Sequence, residues 1–158
     1  MTWFEEGCDY ISPQSGFSVI GPLLDTSGEL PPWVLDFALM YSDGMHIHLG
    51  ETYVPLPKRE GGGGRIYHLS YHYGRHEGRF KASGMPAFSK SCELRIDIDS
   101  LHGRHIHYGG EDHIIEDRLP GLDFDKIDPF LFIQAIEEHR ADGKPLHEIL
   151  GFKVEPAK

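Results

Sequence analysis

Two short segments, His46-Ile47-His48 and His105-Ile106-His107, carry the residue type and spacing best suited to chemistry in this chain. In an extended strand, residues i and i+2 share a face, so each segment sets two imidazoles side by side, a spacing suited to one metal ion. Arg95, Asp97 and Asp99 alternate in the same way shortly before the second segment. Carboxylates beside imidazoles can be ligands themselves, or can orient the rings and raise their basicity. The candidate metal ligands are therefore His105, His107, Asp97, Asp99, His46 and His48, and zinc, nickel, manganese or iron suits some subset of them. The candidate catalytic residues are His105, His107 and Arg95: two histidines can serve as general base and acid near neutral pH while a guanidinium holds an anion. The bland alternative is a solvated polar strand face.

The elements that must position these groups are strands. Trp33, Leu35, Phe37, Leu39 and Tyr41 recur with period two, Ser42-Asp43-Gly44 reads as a hairpin loop, and Met45–Leu49 is the return strand. Apolar sets coincide when Leu39 faces Ile47 and Phe37 faces Leu49. Arg65–Tyr73, Leu94–Ile98 and about Arg104–Tyr108 alternate likewise, and Arg79–Ala82 is a short return. Parity between Ile96, Ile98 and Ile106, Tyr108 admits a register that sets Asp99 opposite His105 and Asp97 opposite His107, across a loop from Ser100 to Arg104. With consistent faces, His46, His48, His68, His72, His105 and His107 would line one surface of one sheet. His113, His139 and His147 read as surface or capping residues, and His76 and His102 as loop residues.

Residues 1–32 are dense in Gly and Pro and read as an irregular lead-in; Gly61–Gly64 reads as a mobile loop. Helical spacing appears late, with Asp128 as N-cap, Pro129 at the first helical position and Gly143 as terminator, followed by a short helix from Pro145 to Leu150. Strands at 33–110 followed by helices at 128–151 predict one α+β domain, a curved antiparallel sheet with C-terminal helices. Gly44–Gly50 resembles Gly103–Gly109, which fits a duplicated hairpin or half-barrel as well as coincidence.

Length and composition set the outer bounds. A chain of 158 residues suits one domain, and no apolar run is long enough to span a bilayer. The absence of a signal-peptide pattern leads to the expectation of a cytoplasmic protein. Cys8 and Cys92, far apart, read as free thiols. The net charge of −10 opposes nucleic acid, but residues 58–90 hold seven Lys/Arg against two Glu, a balance of +5. There Arg65, Tyr67, His68, Tyr71, His72, Arg75 and Arg79 are candidate RNA contacts, the tyrosines stacking bases and the cations holding phosphates. The same tyrosines read more simply as a core-facing stripe. Residues 111–128 balance to −5, a surface for a basic protein partner in a non-catalytic, immunity-like role, or a solvated run. A homodimer is a further expectation.

Leu94-Arg95-Ile96-Asp97, then His102-Gly103-Arg104-His105-Ile106-His107, an acidic stretch and a C-terminal helix resemble the TumE-type toxin components of bacterial toxin–antitoxin pairs, over residues 92–151. That resemblance implies ribonuclease-like activity, with Arg95, Asp97, His105 and His107 as site residues. His105-Ile106-His107-Tyr108-Gly109-Gly110-Glu111 also resembles part of the first cupin motif, which implies a barrel with a two-His, one-carboxylate metal site. From the residues themselves, the expected function is a His/Asp site that binds a divalent transition metal and is hydrolytic.

Overall fold

A computed structural model of the chain describes residues 17–25, 33–55, 64–82, 87 and 92–157, with backbone alone at 17–25, 33–35, 53–55 and 64–67. Among the described residues, seven strands form one sheet in sequence order: β1 (Phe17–Asp25), β2 (Trp33–Tyr41), β3 (Met45–Pro55), β4 (Gly64–Arg75), β5 (Leu94–Asp99), β6 (Gly103–Tyr108) and β7 (Glu111–Ile115). Every neighbouring pair is antiparallel. Two helices follow, α1 (Pro129–Asp142) and α2 (Leu146–Ile149), so the fold is α+β.

Alternation decides which face each residue occupies. Leu39, Ile47, Tyr71, Ile96 and Ile106 point to a buried apolar face that continues into Phe132, Ile133 and Ile136 of α1 and Phe152 beyond α2. The Tyr71 and Phe132 rings meet at 5.5 Å. At fixed area, burying each such large side chain contributes about 1.5–3 kcal/mol, which is what holds the helix on the sheet. Asp128 caps α1 by accepting from Leu131 N at 2.8 Å, and Gly143 ends it in the left-handed conformation, φ +68°. Arg140 then ties the helix end to the β2–β3 turn, donating to Asp43 at 2.8 Å and stacking over the Tyr41 ring.

The β2–β3 register pairs Leu39 with Ile47 and Phe37 with Leu49, as apolar matching requires. The β5–β6 register differs from expectation by two residues: Asp97 faces His105, Arg95 faces His107 and Asp99 faces Gly103. The turn chemistry decides this. Asp99 Oδ1 accepts from the N–H groups of Leu101 and His102, both at 2.7 Å, and Gly103 takes φ +69°, which closes a shorter loop than one ending at Arg104.

Three further expectations are corrected. β1 lies within the segment read as irregular; its ladder with β2 shifts between Ile20 and Leu23, a bulge at Gly21-Pro22 that breaks the period. Arg79–Ala82 contributes one bridging residue, Phe80, instead of a strand. β7 extends the sheet beyond Tyr108, through a two-residue turn with Gly109 and Gly110 at φ +63° and +82°. Cys8 and Gly61–Gly63 lie outside the described residues. No helix among the described residues is long and apolar enough to cross a membrane.

Candidate metal centre

The face opposite the core carries the histidines. Because the strands run consecutively in one sheet, cross-strand rows are continuous: His48, His72, Arg95 and His107 form one row, and Gly50, Ser70, Asp97 and His105 the next. His46, His48, His72, Asp97 and His105 are all buried. Both copies of the Gly-bounded repeat occupy the return strand of a hairpin, with Ile47 and Ile106 in the core and the His pairs on the polar face.

Asp97 is the centre of one cluster on this face. Its side chain is 1% exposed, and Arg95 Nε donates to Oδ1 at 3.0 Å. Around Oδ2 stand Arg95 Nε at 2.8 Å, His107 Nε2 at 3.3 Å and His105 Nε2 at 3.5 Å, yet this buried oxygen accepts no well-aligned hydrogen bond among the described residues. Burial pushes the Asp97 carboxyl up, but the His107 imidazole, Ser70 hydroxyl and Arg95 guanidinium outweigh it and hold it below the usual range. Asp97 is therefore a carboxylate near neutral pH.

The two imidazoles are held at their other nitrogens. His105 Nδ1 lies 3.2 Å from Gly103 O, and His107 Nδ1 lies 3.0 Å from Asp112 Oδ1. A carbonyl and an ionised carboxylate can only accept, so both Nδ1 atoms carry hydrogen and both Nε2 atoms face Asp97. Asp97, His105 and His107 thereby offer three donor atoms within 4.8 Å of one another. Two imidazoles and one carboxylate, each imidazole anchored by a further acceptor, is a donor set that transition metals use. Burial lowers the proton affinity of His105, whereas the Asp97 carboxylate 3.3 Å from its Nε2 raises that of His107.

A bulge brings in what sequence reasoning missed. Between the pairs Ile106–Ile114 and Tyr108–Glu111, β6 has one residue, His107, and β7 has two, Asp112 and His113. Both of these β7 residues consequently reach the polar face: Asp112 bonds His107, and the His113 ring lies 4.7 Å from it. His113 is the one non-glycine described residue with left-handed backbone, φ +54°. His102 in the β5–β6 turn stacks 4.4 Å from His113. The available signal was Gly109-Gly110 after a strand, a hairpin turn that requires a following strand.

The other expected site residues are placed as follows. Asp99 joins the cluster, its Oδ2 3.9 Å from His105 Nε2. Its carboxyl is held at about 2, chiefly by the hydrogen bond from the His102 backbone N–H. His46 and His48 share the face but not the ligand group; His48 bonds Asp36, and His46 packs against His72 at 5.0 Å and His76 at 5.4 Å. Burial depresses His46 to about 4 and His72 to about 3. Glu111, the carboxylate that the cupin motif would supply, is bonded by Arg118 instead.

The stacking role for Tyr71 is corrected: it is fully buried in the core, where its hydroxyl donates to Glu51, on the face opposite His72. His68 is half-buried on the polar face, Arg75 donates to Asp43 O, and Arg79 pairs with Glu77. The side chains of Arg65 and Tyr67 lie outside the described residues. In the acidic run, Glu111, Asp112, Glu116, Asp123, Asp125 and Asp128 each bond a cation, an imidazole or a backbone N–H of this chain. His139 and His147 are structural, bonded to Lys144 O and Tyr108 Oη. Cys92 is half-buried, which pushes its thiol up to about 12.

Fold and site together define an α+β protein with a buried His/Asp cluster able to hold a metal ion. Comparison with known proteins gives no matching family model, no similar curated protein and no similar solved structure.

Asp112 is exposed yet bonds His107 Nδ1, so it would orient that ring toward an ion held by the cluster. Asp112→Ala is expected to weaken metal affinity by about 10- to 100-fold, as loss of a ligand's supporting carboxylate does. Competition with a zinc chelator measures it, and unchanged affinity would show that His107 needs no such support.

Proposed function

We propose that this protein binds one divalent transition metal at Asp97, His105 and His107 and uses it to activate water for hydrolysis. The observation that carries the reading is the convergence of Asp97 Oδ2, His105 Nε2 and His107 Nε2, with both Nδ1 atoms tied elsewhere. Three protein ligands leave coordination positions for water, whose pKa a zinc-like ion lowers to about 7. Arg95, beside Asp97 and a third exposed, is placed to meet an anionic substrate oxygen. The test is elemental analysis of the purified protein, with hydrolysis of an activated phosphodiester before and after chelation. About one metal per chain is expected, lost in His105→Ala with His107→Ala. No metal before or after reconstitution defeats the reading.

A second reading has its own support. His105 is pushed toward the neutral base and His107 toward the protonated acid, and their rings lie 5.3 Å apart. Two titrating groups split in opposite directions suit general base and general acid. With Arg95 adjacent, this supports the reading as a metal-independent ribonuclease, the activity that the toxin resemblance implies. RNA cleavage that survives chelation but is lost in His107→Ala would favour it over the metal centre.

A further inference from the structure

A second group with ligand-like spacing overlaps the first: His102, His105 and His113 also offer donor atoms within 4.8 Å of one another. The two groups differ in exposure. Asp97 and His105 are buried, whereas His102 and His113 stand in solvent. The rings of His102 and His113 lie 5.4 and 5.1 Å from that of His105. Asp99 borders the group: its Oδ1 is used by the turn, and its Oδ2 lies 3.6 Å from His102 Nδ1. His113 reaches this place only through the bulge and its left-handed backbone, a conformation that costs free energy and needs a reason.

The shared residue sets the logic. With Nδ1–H donated to Gly103 O, His105 has one lone pair, on Nε2, and can ligate one ion at a time. With full ligand sets, the two positions are alternatives.

We infer that His102 and His113 form a solvent-facing capture position for a divalent cation, which passes through His105 to the buried position at Asp97 and His107. The inference rests on the metal-binding reading above. An ion arriving from water exchanges water for the two exposed imidazoles, beside the Asp99 carboxylate. Moving inward replaces His102 and His113 by Asp97 and His107 while His105 stays bound, so the ion is never released. Removing the outer pair should slow loading without changing how many ions are held.

The test mixes metal-free protein with cobalt(II) alone in a stopped-flow instrument, following ligand-field absorbance. It compares wild type with His102→Ala/His113→Ala and with His102→Ala/His113→Gly, the glycine relieving the positive φ. Both variants should end at one ion per chain, with loading slowed on the order of tenfold, the low end of what local charge and capture groups add to association rates. Equal loading rates overturn the capture position while leaving the buried centre standing. Two ions per wild-type chain overturn the shared-donor arrangement. No cobalt binding to the wild type overturns both this inference and the metal-binding reading.

Discussion

Replacing Asp97 by asparagine is expected to abolish stabilisation by zinc and to cost the zinc-free protein about 3 kcal/mol, the low end for breaking a buried ion pair. The two effects have separate causes. In the zinc-free protein, Asp97 is the carboxylate paired with Arg95 and one of two beside His107, the other being Asp112, and an amide there removes that charge from both. The cost stays low because the Arg95 side chain is 32% exposed and can be resolvated. On the proposed metal-binding reading, zinc at a thousandfold excess over Kd should stabilise the wild type by at most about 4 kcal/mol, the limit reached when the unfolded chain binds none of it. Asparagine offers a neutral oxygen in place of the carboxylate, so that increment should vanish. Thermal melts with and without zinc measure both effects. A full zinc shift in the Asp97→Asn protein would remove Asp97 from the ligand set, and an unchanged zinc-free midpoint would show that Arg95 and His107 do not depend on it.

The sequence makes faces legible but leaves shifts of two residues open. Period-two alternation assigns Ile96 and Ile106 to the core, and Asp97, His105 and His107 to the other side, under any even register. Choosing among those registers takes the turn, where Asp99 and Gly103 close a tighter loop than parity alone specifies. For β2–β3 the turn and the apolar match agree, and the register follows directly. β1 and β7 escape for one shared reason: each contains a bulge, and a bulge interrupts the alternation by which strands are recognised. The cost is greatest in β7, since the same bulge that hides the strand delivers Asp112 and His113 to the site. Sequence alone thus names Asp97, Asp99, His105 and His107 and reads His102 as the loop residue it is, but leaves Asp112 and His113 out of the site, because their positions depend on a bulge and a left-handed residue.

The buried histidines outside the cluster should make the protein lose stability in mild acid. His46 and His72 are 0% and 1% exposed, and burial holds them at about 4 and about 3 in the folded state. Their neighbours reinforce this: His48 and His76 beside His46, and Arg95 beside His72, with Asp97 in partial opposition. An unfolded histidine titrates near 6.5, so below that pH the unfolded chain takes up protons that the native face refuses. The contribution is complete above 6.5 and is lost as pH falls toward the folded values. At about 1.4 kcal/mol per pH unit and group, lowering pH from 7 to 4.5 removes about 5 kcal/mol from the two together. His105, also depressed by burial, acts in the same direction. His107 acts oppositely: its raised pKa gives stability that is complete below 6.5 and is lost as pH rises beyond its folded value, so it offers no further protection as the acid limb develops. Asp97 is depressed, and its contribution fades only as pH falls below the ordinary carboxylate range, under this window. A loss of about 5 kcal/mol rivals the whole stability of many domains. Urea titrations of the metal-free protein at pH 7, 6, 5 and 4.5 should therefore show a steep decline. His46→Phe should reduce its slope by about 1.4 kcal/mol per pH unit, one proton's worth. Stability that stays level to pH 4.5 would mean that these rings protonate in place, and that water reaches the His46 and His72 face of the sheet.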